Sequence, residues 1–313
     1  MKDLKKGLYL IGIGTLDRPK LLSNLLYSLR QLIVPSEIEL RILVVDNSLT
    51  ENARETVVAF SGSVIWEIIY LSEKERGIVS VRNRIMKYAL TIDAQFLFCL
   101  DDDMTVTSSW LIELTKAQAD FQADAVAGRV NYLLPETAPK WLYKKDFYGS
   151  YSRITGAEQL TARTSNVMIS LDFIREYSLR FHPKLNLTGG EDTHFFHEFV
   201  NVGGKIVWCD EAVLIEEVPV SRANEEWILQ RAFKLGYTRF KRSAIDKGFV
   251  RASILNLAYA FIQWIQFTAI SPLFFFMAKE KRVFWVRKYK KAQGVIYAIC
   301  GKSFQEYAQI HGY

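Results

Sequence analysis

Three observations predict an α/β fold, a doubly wound sheet flanked by helices and followed by an apolar helical tail. Short aliphatic and β-branched runs alternate with segments whose apolar residues recur at helical spacing. Small, polar or acidic residues follow those runs, as expected where a ligand meets the carboxyl ends of the strands. Residues 252–278 then pass 27 positions without a charged side chain. The chain has 313 residues, 50% hydrophobic and 24% charged, enough to build a large core. That balance excludes disordered, collagen-like and low-complexity chains.

Residues 8–13 (LYLIGI) read as the first strand. Asp17 opens a helix that places Leu21, Leu22, Leu25, Leu26, Leu29 and Leu32 on one face. Residues 40–45 and 64–71 read as the next strands. A helix after Gly77 then aligns Ile78, Val81, Ile85 and Ala89, and FLFCL at 96–100 forms a fourth strand. This alternation implies parallel strands. Later strands are expected near 125–130, 166–171 and 205–209, with a helix from Glu191 to Val200 after the Gly189-Gly190 break. No internal repeat is visible. Neither GxGxxG nor a Walker loop follows the first strand, which argues against dinucleotide dehydrogenases and P-loop NTPases.

Cys99, Cys209 and Cys300 are odd in number and lack ligand spacing, so neither a disulfide framework nor a zinc site is expected. A reducing compartment follows. The N-terminal apolar run of about seven residues leads into a helix start rather than a cleavage site, predicting a mature cytosolic N-terminus. Lys+Arg number 40 against 34 Asp+Glu, leaving +6. Much of that excess lies in KEKRVFWVRKYKK, after the apolar stretch, where bulky aromatics alternate with cations. Such a segment suits anionic headgroups, and nucleic acid ranks lowest as a partner. A single crossing by 252–278 would export this basic segment against the positive-inside rule. Gln263, Gln266 and Pro272 also favour helices that dip into or lie along the inner leaflet. The expectation is a peripheral or monotopic protein on the cytoplasmic face, against the alternative of a buried helix pair in a soluble protein.

Asp101, Asp102 and Asp103 gather three carboxylates after an apolar strand, which suits an oxygen-liganded divalent cation bridging a diphosphate. The plain alternative is an acidic turn ahead of the helix starting near Ser108-Ser109. Glu191 and Asp192 follow a glycine turn at a helix start, where the macrodipole favours negative charge; taken alone, an ordinary helix cap with a first-turn acid explains them better than a catalytic role. His194 and His197 read as surface or packing residues more readily than as metal ligands. Trp141, Tyr143, Phe147, Tyr148 and Tyr151 suit either sugar stacking or packing.

The ordered set LYLIGIGTLDRP, VVDNS, ERGIVSVRNR, FLFCLDDDMTVTSSWL, TSNVMIS, GGEDTHFFHE and VPVSRANEEWILQRAFKLG, over residues 8–236, resembles family 2 glycosyltransferases of the GT-A fold. It is most similar to bacterial exopolysaccharide enzymes of the succinoglycan type. The resemblance implies a mixed sheet, with a GT-A domain over residues 1–240 divided into a nucleotide half (1–105) and an acceptor half (106–240). Residues 241–313 would then be membrane-associating helices. It implies an inverting, metal-dependent transfer from a nucleotide sugar, UDP-linked by family frequency, to a lipid-linked or membrane-proximal glycan acceptor. Thr15 and Asp46 fall where the family holds the base, and Arg82 and Arg84 border the nucleotide and its phosphates. Asp101 and Asp103 correspond to the metal ligands, Mn²⁺ or Mg²⁺, and Asp102 to a ribose or metal contact. Asp192 corresponds to the catalytic base, with Glu191 as assistant or acceptor-orienting group. Arg222, Gln230 and Arg231 lie where relatives contact diphosphate or acceptor. Arg231 directly follows Gln230, a departure from the QxxRW of processive synthases that argues against polymerisation. Two rivals are a sugar-nucleotide nucleotidyltransferase, for which GIGTLDRPK is a poor triphosphate loop, and a non-catalytic membrane scaffold, which would have lost its carboxylates.

Overall fold

The computed structural model describes residues 5–303, so the outer ends of the expected 1–240 and 241–313 units lie outside the described residues. Nine strands form one sheet: β1 (Gly7–Thr15), β2 (Ile38–Asp46), β3 (Glu67–Ser72), β4 (Phe96–Asp101), β5 (Met104–Val106), β6 (Ala125–Leu133), β7 (Glu158–Gln159), β8 (Asn166–Ser170) and β9 (Ile206–Glu217). Their order is β3-β2-β1-β4-β8-β6-β9-β5, with β7 on β9. The expected strands are all present, although the one predicted from residue 64 begins only at Glu67.

The sheet is mixed, as the resemblance implies, and the parallel pairing expected from the strand–helix alternation holds for β1 to β4. β8 runs antiparallel to both β4 and β6, and β5 antiparallel to β9. A parallel return needs a crossover, usually helical. Between β6 and β8 the chain has only a short 3₁₀ turn at Lys140–Lys144 and the two-residue β7, so it re-enters in the opposite direction. Asn166 secures that junction. Its Nδ2 donates to the carbonyls of Arg129 and Ala212, and its Oδ1 accepts from Trp110 Nε1 at 2.8 Å. This satisfies a buried amide where the ladder shifts register between Gly128 and Arg129.

Both faces of the sheet are covered, which is why its strands read as continuous apolar runs. Successive β1 side chains point to opposite sides. Tyr9, Ile11 and Ile13 pack with α1 (Pro19–Leu29), α2 (Arg54–Ser61) and α4 (Trp110–Phe121). Leu10 packs instead with α3 (Ile78–Thr91), α5 (Leu171–Tyr177) and α6 (Glu191–Asn201). Leu32, expected on the first helix, is buried but lies beyond its end.

The C-terminal third is a helical layer of α7 (Glu225–Lys247), α8 (Phe249–Ile270) and α9 (Lys279–Ile299). The boundary expected at 240 falls inside α7, and the chain breaks instead at Gly248, whose φ of +76° suits glycine. Gly236 of α7 and Gly294 of α9 bring the two backbones into contact, because a Cβ on either would meet a carbonyl of the other helix. α8 turns Ala252, Asn256 and Ala260 inward. Within the apolar span Phe249–Phe276 the most apolar 18-residue window is nevertheless only 6% buried, so most of this stretch lies outside the core.

Candidate active site

A cleft of about 1300 Å³ opens between the carboxyl edge of the sheet and α7 and α9. β4 ends at Asp101, and the reversal into β5 sends alternate acids to opposite sides. Asp101 and Asp103 line the cleft, whereas Asp102 is fully buried. Thr15 Oγ1 donates to Asp102 Oδ2 at 2.7 Å, and Arg18 reaches Asp102 Oδ1 at 2.5 Å and Asp103 Oδ2 at 3.1 Å. Burial outweighs Arg18 and pushes the Asp102 carboxyl up to about 7.

Gly189 and Gly190, at φ of +78° and +83°, turn the chain into α6 and set Glu191 and Asp192 in its first turn. The structure separates these neighbouring acids. Glu191 is buried and paired with Arg82, which also lies 3.7 Å from Asp101. Burial raises the Glu191 carboxyl despite that guanidinium. Asp192 is half-buried on the cleft wall, with Oδ1 accepting from the Thr193 amide and hydroxyl. Asn186 helps hold the α3 side: its Oδ1 accepts from the amides of Val79 and Ser80 at the start of that helix.

Arg222, Gln230 and Arg231 line the same cleft. Arg222 lies 3.7 Å from Asp103 and 3.3 Å from Glu216 Oε1. Arg231 sits over the Trp227 ring at 5.1 Å, and Trp227 stacks on Tyr148. Phe147, Tyr148 and Tyr151 of the aromatic group reach the cleft; Trp141 packs against Phe147, and Tyr143 is exposed.

Thr15, Asp46, Arg84 and Asp102 do not line the cleft. Asp46 is fully buried, and its carboxylate accepts from the Ser48 and Ala53 amides and the Tyr70 hydroxyl, fixing the turn after β2. Arg84 lies on α3 with its Nε buried. His194 is buried against Asp246, and His197 is exposed.

Sequence reasoning missed Arg18, Glu216 and Lys234. Arg18 was within reach, since it follows the first strand and precedes the helix-opening Pro19. Glu216 carries no such signal: it is brought beside Asp103 by the antiparallel pairing of β5 with β9, in which Met104 lies opposite Glu216. Burial and Asp103 together push it up to about 7. Lys234 is driven down to about 8 by burial.

Asp101 and Asp103 offer two hard oxygen donors on an open wall, a donor set that fits Mn²⁺ or Mg²⁺. A mixed α/β sheet with a carboxylate pair at its strand ends is the arrangement of glycosyltransferases of the GT-A class. Residues 11–195 match the sequence pattern of glycosyl transferase family 2, and the chain belongs to that family. It is 33% identical over 228 residues to succinoglycan biosynthesis protein ExoM of Rhizobium meliloti (strain 1021), spanning 73% of this chain and 72% of that one. Among solved structures it is similar to mannosyltransferase PcManGT from Pyrobaculum calidifontis in complex with GDP-Man and Mn²⁺, with TM-score 0.64, 15% identity and coverage of 96% of this chain and 92% of that one. It is also similar to S. aureus TarS 1-349 in complex with UDP, with TM-score 0.53, 15% identity and coverage of 96% and 93%. These two likenesses bear out the GT-A fold. Family membership makes the chain a glycosyltransferase and sets aside the nucleotidyltransferase reading, and the presence of Asp101, Asp103 and Asp192 on the cleft argues against a degenerate scaffold.

Proposed function

We propose that this glycosyltransferase transfers a sugar, with inversion, from a nucleotide sugar to a lipid-linked or membrane-proximal glycan acceptor in cell-surface polysaccharide synthesis. The observation that carries this reading is the convergence of Asp101, Asp103 and Asp192 on one cleft. ExoM, a succinoglycan biosynthesis protein, supports the polysaccharide context, and the complexes with UDP and GDP-Man support a nucleotide-linked donor.

An acceptor hydroxyl is almost wholly protonated at neutral pH and needs a base. Asp192 suits that role: it faces the cleft from the first turn of α6. Its carboxylate takes the hydroxyl proton as the oxygen attacks the anomeric carbon, and the bond from that carbon to the diphosphate oxygen breaks on the opposite face. Glu191, held by Arg82, orients rather than abstracts. Asp101 and Asp103 are the residues to hold Mn²⁺ or Mg²⁺, which when bound neutralises charge on the diphosphate. Arg222 and Arg231 bear on the same charge from α7 and the turn before it. Thr15 and Asp46 act from behind the donor site, Thr15 by orienting Asp102 and Asp46 by fixing the turn after β2.

The outward face of α8 and its 3₁₀ extension, together with the basic α9, supports attachment to the inner leaflet as a peripheral or monotopic protein. Phe275 and Phe276 are 90% and 83% exposed at its tip. In this reading residues 1–240 supply most of the transferase and the helical layer joins it to the membrane.

The test is a panel of nucleotide sugars with Mn²⁺ or Mg²⁺, reading hydrolysis and protection from thermal unfolding. A UDP-sugar is expected to raise the midpoint only with metal. If no nucleotide sugar protects with either ion, the donor assignment is wrong.

A further inference from the structure

The cleft is electrically divided. Its sheet end carries Asp101, Asp103, Glu191, Asp192 and Glu216, interleaved with Arg18, Arg82 and Arg222. Its other end is walled by Arg239 and Arg242 of α7 and Arg287 and Lys291 of α9, and none of these four makes an ion pair among the described residues. Like charges gathered in a cleft raise one another's energy unless an anion joins them. The effect is visible on Lys291, which is lowered by burial and then by Arg239, Arg242 and Arg287 in turn. Arg242 is lowered by burial and Arg239, although Asp246 and Asp192 oppose this, and Arg287 is lowered by burial and Arg231, opposed by Asp146.

These cations are held from behind. Arg239 Nε donates to Asn256 Oδ1 at 3.1 Å, and its guanidinium lies over the Tyr259 ring at 4.2 Å. Asn256 is 2% exposed on a largely apolar helix, and its Nδ2 donates to the Ala252 carbonyl, so its amide is fixed with the oxygen toward Arg239. Arg287 lies over the Phe147 ring at 5.2 Å. A guanidinium anchored on one side presents its remaining N–H groups in a rigid fork, the geometry that recognises phosphate oxygens. The helix carrying Asn256 is also the one whose other face is apolar and exposed, which places the basic wall beside the surface proposed to meet the bilayer.

We propose that Arg239, Arg242, Arg287 and Lys291 form a second anion site that grips a phosphate or diphosphate group delivered with the acceptor. The site itself stands on the basic wall alone; naming the acceptor as the carrier rests on the transferase reading above. The donor diphosphate belongs to the opposite end, where carboxylates repel a bare phosphate unless a cation is present. Asn256, which interrupts the apolar run without evident reason in the sequence, becomes the support of this site.

The test uses the full-length protein in EDTA, with farnesyl diphosphate as probe and farnesol as the uncharged control. Wild type is expected to bind the diphosphate at least about tenfold more tightly than the alcohol. The double variant Arg242→Gln/Lys291→Gln should lose about tenfold or more of that affinity, and Arg242→Lys/Lys291→Arg should retain it. UDP affinity in Mn²⁺, read on the same variants, should hold and also shows that they fold. Equal binding of farnesol and its diphosphate, unchanged affinity in the double Gln variant, or an equal fall in UDP affinity overturns the proposal. Vesicles of phosphatidylglycerol separate the sources. Loss of vesicle binding with farnesyl diphosphate binding intact assigns the wall to membrane headgroups and overturns the acceptor assignment, whereas the reverse supports it. Nucleotide-sugar hydrolysis by wild type is scored separately, so failure of the transferase reading cannot be mistaken for failure of the anion site.

Discussion

Two apolar segments of this chain meet opposite fates. FLFCL at the heart of the sheet is buried from Phe96 to Leu100 between two helical layers. The longer, largely apolar α8 turns only Ala252, Asn256 and Ala260 inward and leaves Phe249, Ile254, Phe261 and Trp264 exposed. Hydrophobicity does not decide burial; the supply of partners does. The strand lies between α3 and α4 and pairs on both edges, whereas α8 lies outermost against α7 and α9. A large apolar face left uncovered on a finished fold marks an interaction surface.

The sharpest test of that contrast removes one large side chain from each region. Trp110→Ala should cost about 3–5 kcal/mol of stability in chemical denaturation, because it empties a buried site and strips Asn166 Oδ1 of its donor. Phe275→Ser with Phe276→Ser should stay within about 0.5 kcal/mol of wild type, yet bind anionic vesicles about tenfold or more weakly. A double variant that unfolds, or that binds vesicles like wild type, would break the comparison.

Within the sheet region the chemistry should fail without the fold. Asp103→Ala is expected to lower metal-dependent transfer by about 10³-fold while leaving the thermal midpoint in EDTA nearly unchanged. Full wild-type activity in excess EDTA would remove the metal assignment altogether. Asp192→Asn should lower kcat by about 10²-fold or more with nucleotide-sugar affinity intact. If Glu191→Gln proves the more damaging and Asp192→Asn mild, their roles are exchanged, and the ion pair with Arg82 must open during turnover.

The smallest effect distinguishes buried from peripheral positions chemically. Burial pushes the Cys99 and Cys209 thiols up to about 12, so their thiolates are scarce below that pH, and Cys300 is exposed. Iodoacetamide at pH 8 should label Cys300 and spare the other two in the native protein. Rapid alkylation of Cys99 would show that the strand is less sealed than its packing implies.

Much of the fold was legible because its rules are local. A strand buried on both faces must read as an unbroken apolar run, which exposed β1, β2 and β4. Glycine before acids at a helix start marked α6, and the acidic turn after FLFCL marked the cleft. The direction of β8 was not legible, since it depends on what the preceding loop fails to form. Asp46 misled for a related reason: a carboxylate after a strand looks like a ligand contact until Ser48, Ala53 and Tyr70 are seen to occupy it.

The sequence by itself determined the alternation of strands and helices, the acids at the strand ends and the presence of an apolar tail, because periodicity and residue type act over a few positions. Only the tertiary structure decided which acids share a cleft, that Asp102 turns inward while Asp101 and Asp103 turn outward, and that Arg239, Arg242, Arg287 and Lys291 form one wall. Those outcomes depend on contacts between residues far apart in the chain. The wall requires α9 to lie against α7 through Gly236 and Gly294, a meeting of two helices that neither helix specifies alone.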